Sequence, residues 1–366
     1  MKNALYLGNV AGIRIFIHWT FLILIGWIVF SNLNQGLGGS EILWSVLFIL
    51  TIFACVTLHE LGHALAAKRF NIKTRDITLL PIGGVAQMES IPEKPKEELI
   101  VAIAGPLVNL AIFTVLFLAL PRPDSSDAAT NLQHIGADNF LYALMVVNMW
   151  LALFNLIPAF PMDGGRVFRA LLAFRLERAR ATRIAAGLGQ LLAMGFIFLG
   201  LFYNPFLVFI GLFIFLGAQA EAEQTQTQSL LKGYIVQDAL LQEIPEIAPD
   251  TTIRAAAEHL LHTQNKYFLV RNDGKPAGTL GRDEIIKALG DLDDKASVQE
   301  AMRRDVMYLT PEMPVEEAWN KMQRQKQSFA LVATDGRILG AIDTDNIAEF
   351  VMIRSAEQGK KIARYR

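Results

Sequence analysis

Apolar residues along the first 220 positions gather into long runs, six of which approach the ~20 residues that a ~30 Å hydrocarbon layer demands of a helix. They extend approximately from Ile15 to Phe30, Ile42 to Leu65, Leu99 to Leu120, Asn139 to Leu156, Ile184 to Tyr203 and Phe206 to Gln219. The last is short enough to tilt or to meet water. Between the second and third runs lies Leu79-Leu80-Pro81-Ile82-Gly83-Gly84-Val85-Ala86-Gln87-Met88, too broken to span and too apolar for an ordinary loop. It predicts a short strand or hairpin dipping into the protein; turn composition alone also fits a surface loop. After Gln219 the pattern changes abruptly: Glu221 to Ser229 is rich in Gln, Thr and Glu and reads as a linker.

From Lys232 onward the chain repeats itself. Val236 matches Val298, Pro249 matches Pro311, Leu269 matches Leu331, Gly274 matches Gly336 and Gly278 matches Gly340, every pair 62 positions apart. Each unit predicts a strand, a helix (Ile253 to Thr263; Val315 to Gln325), a hairpin around Asp273-Gly274 or Asp335-Gly336, and a second helix. The expected organisation is therefore a helical polytopic membrane domain with a short embedded β element over 1–220, a linker over 221–231, and a soluble α/β tandem module over 232–366 with repeats at about 232–293 and 294–355.

Composition agrees with the membrane reading. Of 366 residues 52% are hydrophobic, and a mean hydropathy of +0.33 is unusual for a soluble chain of this length. The net charge of -1 offers nothing to a nucleic acid. A single cysteine, Cys55, excludes an internal disulfide and a cysteine-based metal cluster. No small-residue cleavage site follows the first apolar run, so it reads as a retained span. Charge then sets orientation. Lys2 and Arg14 precede span one; Lys68, Arg69, Lys73, Arg75, Lys94 and Lys96 follow span two; Arg166, Arg169, Arg175, Arg178, Arg180 and Arg183 follow span four. The alternate loops hold only Arg122. Both termini and the loops after spans two and four are expected on the cytoplasmic side of a cell membrane.

Chemistry gathers at that depth. Leu58-His59-Glu60-Leu61-Gly62-His63 ends the second run, and on a helix His59 and His63 lie one turn apart and face the same way. Both imidazoles can reach one metal ion, while Glu60 stands where it can hold a water as general base. Two histidines on a helix also serve merely to cap or hydrogen-bond, but three ionisable groups at the end of an embedded helix are costly unless they act together. Zinc needs a third protein ligand, and Asp163 is the acidic residue near this depth outside the loops. It follows Pro158 and Pro161, which break the helix, and precedes Gly164 and Gly165, which permit close backbone approach. Taken alone, Asp163 fits a helix cap equally well. Cys55, one turn before His59, reads as a third ligand or as a small buried apolar side chain. Asn155 fits a wet cavity, Asn109 stays open between cavity and helix packing, and His18 reads as interfacial.

These residues match a known family. The chain resembles the site-2 proteases, intramembrane zinc metalloproteases, in the six-span branch with a C-terminal CBS-domain pair. The likeness rests on His59-Glu60-Leu61-Gly62-His63, Pro81-Ile82-Gly83-Gly84, Ala104-Gly105-Pro106-Leu107-Val108-Asn109 and Asn155 through Gly165. It implies one zinc held by His59, His63 and Asp163, with Glu60 as catalytic base. It implies substrates that are single-span membrane proteins, cut within or near the bilayer to release a cytoplasmic fragment. Asn155 is then substrate-binding, and spans one and six form the lateral gate; Gly83 and Gly84 read as substrate-binding from the residues themselves, since an exposed strand edge there could pair with an extended substrate segment. The CBS likeness implies an adenine nucleotide in the cleft and allows a homodimer through these domains. The residues depart from that signature: three and six positions after Gly278 stand Gly281 and Glu284, and after Gly340 stand Asp343 and Asn346, where a hydroxyl and then an aspartate are expected. The departures argue against a nucleotide and leave a structural or dimerising module as the other reading. Two rival functions are a transporter gated by the tail, which would spread ionisable groups near the midplane, and a proteolytically silent membrane chaperone of the same fold.

Overall fold

The computed structural model describes residues 4–81, 83–88, 92–121, 135–263, 266–293 and 295–364; Ile82 and Arg122 lie outside them. The chain divides between Thr225 and Gln226 into two compact units.

The first unit opens with strands β1 (Ala4–Val10) and β2 (Ile13–His18), followed by helices α1 (Thr20–Asn34) and α2 (Gly39–Lys68). Span one was expected to start at Ile15, yet Ile13–His18 is a strand and the helix begins at Thr20. The hairpin β3 (Thr74–Leu80) and β4 (Gly83–Met88) follows as expected, but it belongs to a four-stranded sheet ordered β1-β2-β3-β4. β2 pairs parallel with β3, a register that the α1–α2 crossover makes possible, and the other pairs are antiparallel. β4 has a neighbour on one side and is an edge strand.

Then come α3 (Pro95–Ala119), α4 (Phe140–Asn155), α5 (Asp163–Ala173), α6 (Arg178–Phe202) and α7 (Pro205–Leu231). α2, α3, α6 and α7 are long and apolar enough to cross a membrane; α1 and α4, with 15 and 16 residues, are shorter. Their outward faces expose Trp27, Phe198, Leu201, Phe206 and Phe209, a distribution that suits lipid rather than water. The sixth run is no short helix: α7 has 27 residues and carries helix straight through the stretch read as a linker.

Close helix approach depends on small residues. A Cβ on Gly62 of α2 would lie 2.8 Å from the Ala104 carbonyl oxygen of α3, and one on Gly217 of α7 would lie 2.6 Å from Pro161. Where α3, α5, α6 and α7 converge, a buried ion network replaces apolar packing. Arg169 of α5 is fully buried, lies over the Phe160 ring, donates from Nε to Glu98 at 2.8 Å, and pairs with Glu221 of α7. Arg178 of α6 adds a second positive charge 3.7 Å from Glu98. Two cations thus balance two carboxylates, the condition under which buried charge is tolerated.

The second unit reproduces the sequence repeat as structure. β5 (Glu246–Ile247), α8 (Ile253–His262), β6 (Tyr267–Asn272), β7 (Lys275–Gly281) and α9 (Arg282–Asp291) form the first half. α10 (Val298–Ala301), β8 (Tyr308–Leu309), α11 (Val315–Gln325), β9 (Phe329–Thr334), β10 (Arg337–Asp343) and α12 (Thr344–Arg364) form the second. Both hairpins turn through an Asp-Gly pair with both residues at positive φ, which glycine and aspartate tolerate best. The halves exchange edges: Leu241 bridges Ala341 and Thr279 bridges Arg303, so each leading segment pairs with the other half's last strand.

Removing the Arg169 guanidinium from the buried network leaves two carboxylates facing the single charge of Arg178. Arg169→Met is expected to destabilise the protein by about 3–5 kcal/mol. Arg14→Ala, which breaks the ion pair with Asp76 from a side chain 52% exposed, is expected to cost about 1 kcal/mol or less. Thermal unfolding of the two variants in micelles checks the difference.

Candidate metal centre

The C-terminal half of α2 places His59 and His63 on one face, 6% and 4% exposed. Opposite them α4 ends at Asn155, the chain turns through Pro158 and Pro161, and α5 starts at Asp163. Gly164 and Gly165 make that turn possible. A Cβ on the first would overlap the carbonyls of Leu156 and Ile157, and one on the second would lie 2.6 Å from the Phe160 nitrogen. Asp163 makes no cap; its Oδ2 points at the imidazoles, 3.2 Å from His59 Nε2 and 3.0 Å from His63 Nε2, which are 3.1 Å from each other. Among the described residues, these three are the group of side chains that could hold a metal ion. Cys55 stands apart, buried with Phe48, Ala143 and Leu144.

Proton bookkeeping shows that the group fits a cation. Leu144 O can only accept, so the Asn148 amide nitrogen must face it, at 2.9 Å. Asn148 Oδ1 is thereby left to accept from Asn109 Nδ2 at 2.9 Å, and Asn109 Oδ1 to accept from His59 Nδ1 at 2.5 Å. His63 Nδ1 donates to the Val101 carbonyl at 2.7 Å. In the neutral imidazoles, with both protons on Nδ1, both Nε2 lone pairs and a carboxylate oxygen face one another. Such a trio is repulsive until a positive ion enters it. Its 3.0–3.2 Å edges are close to the ~3.3 Å edge of a tetrahedron with ~2.05 Å bonds.

Gly105 keeps the space open: its missing Cβ would overlap His63 Nε2 and lie 2.6 Å from His59 Nε2. Glu60 lies half-buried against β4, where a Cβ on Gly84 would come within 2.7 Å of its Cγ. Gly83, at φ 137°, has open space around it. Asn155, expected in a cavity, donates to Leu151 O of its own helix at 2.9 Å. His18 pairs locally with Thr20 Oγ1 at 2.8 Å. Sequence reading missed Asn148, Gly105 and the Val101 carbonyl. A polar residue inside an apolar helix and an Ala-Gly-Pro step were the signals for the first two.

The model of peptidase family M50 matches residues 47–122 and 124–199, and the CBS domain model matches 236–291 and 298–353. The zinc metalloprotease MJ0392 of Methanocaldococcus jannaschii is 33% identical over 99% of this chain and 100% of its own. The chain belongs to peptidase family M50. It is a zinc metallopeptidase of the site-2 type with a tandem CBS unit. The stage IV sporulation protein FB of Bacillus subtilis is 32% identical over 37% of this chain and 44% of its own. A solved site-2 protease from Methanocaldococcus jannaschii is 39% identical over 60% of this chain and 95% of its own, with a TM-score of 0.44.

The CBS cleft keeps neither expected hydroxyl. At Gly281 a side chain would crowd Tyr267, whose ring stacks on Phe329 at 4.7 Å. Asp343 is 8% exposed, its carboxyl pushed above the usual range by burial, and its Oδ1 already accepts from the Asn346 backbone N–H at 2.6 Å.

Two substitutions test the centre. Gly105→Ala is expected to abolish stoichiometric zinc binding by filling the imidazole cradle. Asn109→Leu is expected to weaken zinc about 10–100-fold by releasing the His59 tautomer. Elemental analysis and chelator competition on purified protein check both.

Proposed function

We propose that this chain is an intramembrane endopeptidase that hydrolyses peptide bonds within or near the membrane segment of single-span proteins and releases a cytoplasmic fragment. The observation that carries the reading is the convergence of His59, His63 and Asp163 at the end of an apolar helix. His59, His63 and Asp163 are the residues that hold the zinc. The ion, when bound, supplies a Lewis acid that makes water nucleophilic near neutral pH and polarises the scissile carbonyl.

The chain's own residues do the rest. Glu60, next to His59 and outside the ligand trio, takes the proton from the attacking water and passes it to the leaving nitrogen. A helical substrate hides its carbonyls in its own hydrogen bonds and must unwind before attack. The free edge of β4 beside Glu60 supports a docking role, since an extended segment could pair there through its backbone. Gly83 and Gly84 keep that edge free of side chains. Asn155, at the end of α4, belongs to the same substrate path. The basic residues around Lys68–Arg75 and Arg166–Arg183 support a cytoplasmic position for the site. The CBS unit is read as a regulatory module that does not depend on an adenine nucleotide, because an acidic side chain stands where a phosphate would need a hydroxyl.

Glu60→Gln is expected to lower cleavage of a co-expressed single-span fusion about 10²–10⁴-fold while zinc content stays at one per chain. Immunoblotting for the released fragment, beside metal analysis, reads both. A variant that cuts like wild type would remove Glu60 from the mechanism.

A further inference from the structure

The metal centre as built is rich in acceptors: Glu60, Asp163 and two imidazole lone pairs. Attack of water on a peptide carbonyl creates a negative oxygen, which needs a donor. Arg166 stands in the first turn of α5, one turn beyond Asp163, with its side chain 17% exposed. Its Nη1 lies 3.9 Å from Asp163 Oδ1, the carboxylate oxygen turned away from the imidazoles, too far for a hydrogen bond. Its Nη2 is buried without a hydrogen-bond partner among the described residues. A buried N–H of a charged group left unpaired is expensive, and such groups in native proteins have a reason. Arg169, three positions on, shows the contrast, since both its terminal nitrogens are engaged by Glu98 and Glu221.

We propose that Arg166 is a catalytic residue whose free Nη2–H binds the scissile carbonyl oxygen of the substrate and stabilises the oxyanion formed there. This deepens the proposed function and rests on it. The water oxygen forms a bond to the carbonyl carbon, and its proton passes to Glu60. The C=O π pair moves onto the oxygen, where Arg166 donates a hydrogen bond and gives up no proton. The pair then returns, the C–N bond breaks, and the nitrogen leaves with the proton from Glu60. Arg166 ends the cycle unchanged.

The test uses the full chain in liposomes with a single-span fusion substrate, comparing wild type, Glu60→Gln, Arg166→Lys and Arg166→Gln for kcat, KM and bound zinc. Arg166→Gln is expected to lower kcat per bound zinc about 10²-fold, with KM changed less than about threefold and zinc retained. Arg166→Lys is expected to recover part of the loss. Two results overturn the proposal: a kcat per bound zinc within about threefold of wild type in Arg166→Gln, or a loss of activity that follows loss of zinc alone. If wild type and Glu60→Gln are equally inert, the hydrolytic reading itself fails, and this inference fails with it.

Discussion

Two imidazole nitrogens and a carboxylate oxygen, held within 3.2 Å of one another, form the constraint around which the membrane unit is built. Left alone they repel, so the fold must hold them together until a cation relieves the repulsion. The work is shared by sequence-distant segments. α2 supplies both histidines, and the proline-broken turn before α5 supplies Asp163. α3 packs beside them with Gly105 at the point of contact and Asn109 and Val101 fixing the outer ring nitrogens.

The bilayer raises the stakes of every polar atom near this site. In hydrocarbon an unpaired donor has no water to turn to, which is why the amide chain from Leu144 through Asn148 and Asn109 to His59 is satisfied at each step. The same logic governs Arg169, Glu98, Glu221 and Arg178, where buried charge is balanced pair by pair. That network ties α5, and with it the turn that carries Asp163, to α3 and α7. The metal centre and the ion network share one short helix, with Asp163 at its start and Arg169 in its middle.

Much of this was legible in the sequence because spacing alone carries it. The His59/His63 interval fits one helical turn, and the 62-residue repeat became two halves of one topology with exchanged edges. Other features were hidden for physical reasons. Ile15–Ile17 is apolar and runs into α1 without a turn signal, so hydropathy could not separate the strand from the helix; pairing with β1 and, across the α1–α2 crossover, with β3 makes it a strand. The polar stretch after Gln219 looks like a linker because helix propensity is weaker evidence than composition, yet Glu221 is tied to Arg169 and the helix runs on to Leu231. Asn148 escaped because its role depends on Asn109, a residue 39 positions away. The conspicuous Asn155 donates to its own helix.

The account is tested most directly by X-ray absorption at the zinc edge on the metal-loaded full-length protein. It predicts two imidazole nitrogens and a light oxygen shell at about 2.0–2.2 Å, with the carboxylate contribution lost in Asp163→Ala. A sulfur scatterer at about 2.3 Å, a single imidazole, or a spectrum indifferent to that substitution would contradict it.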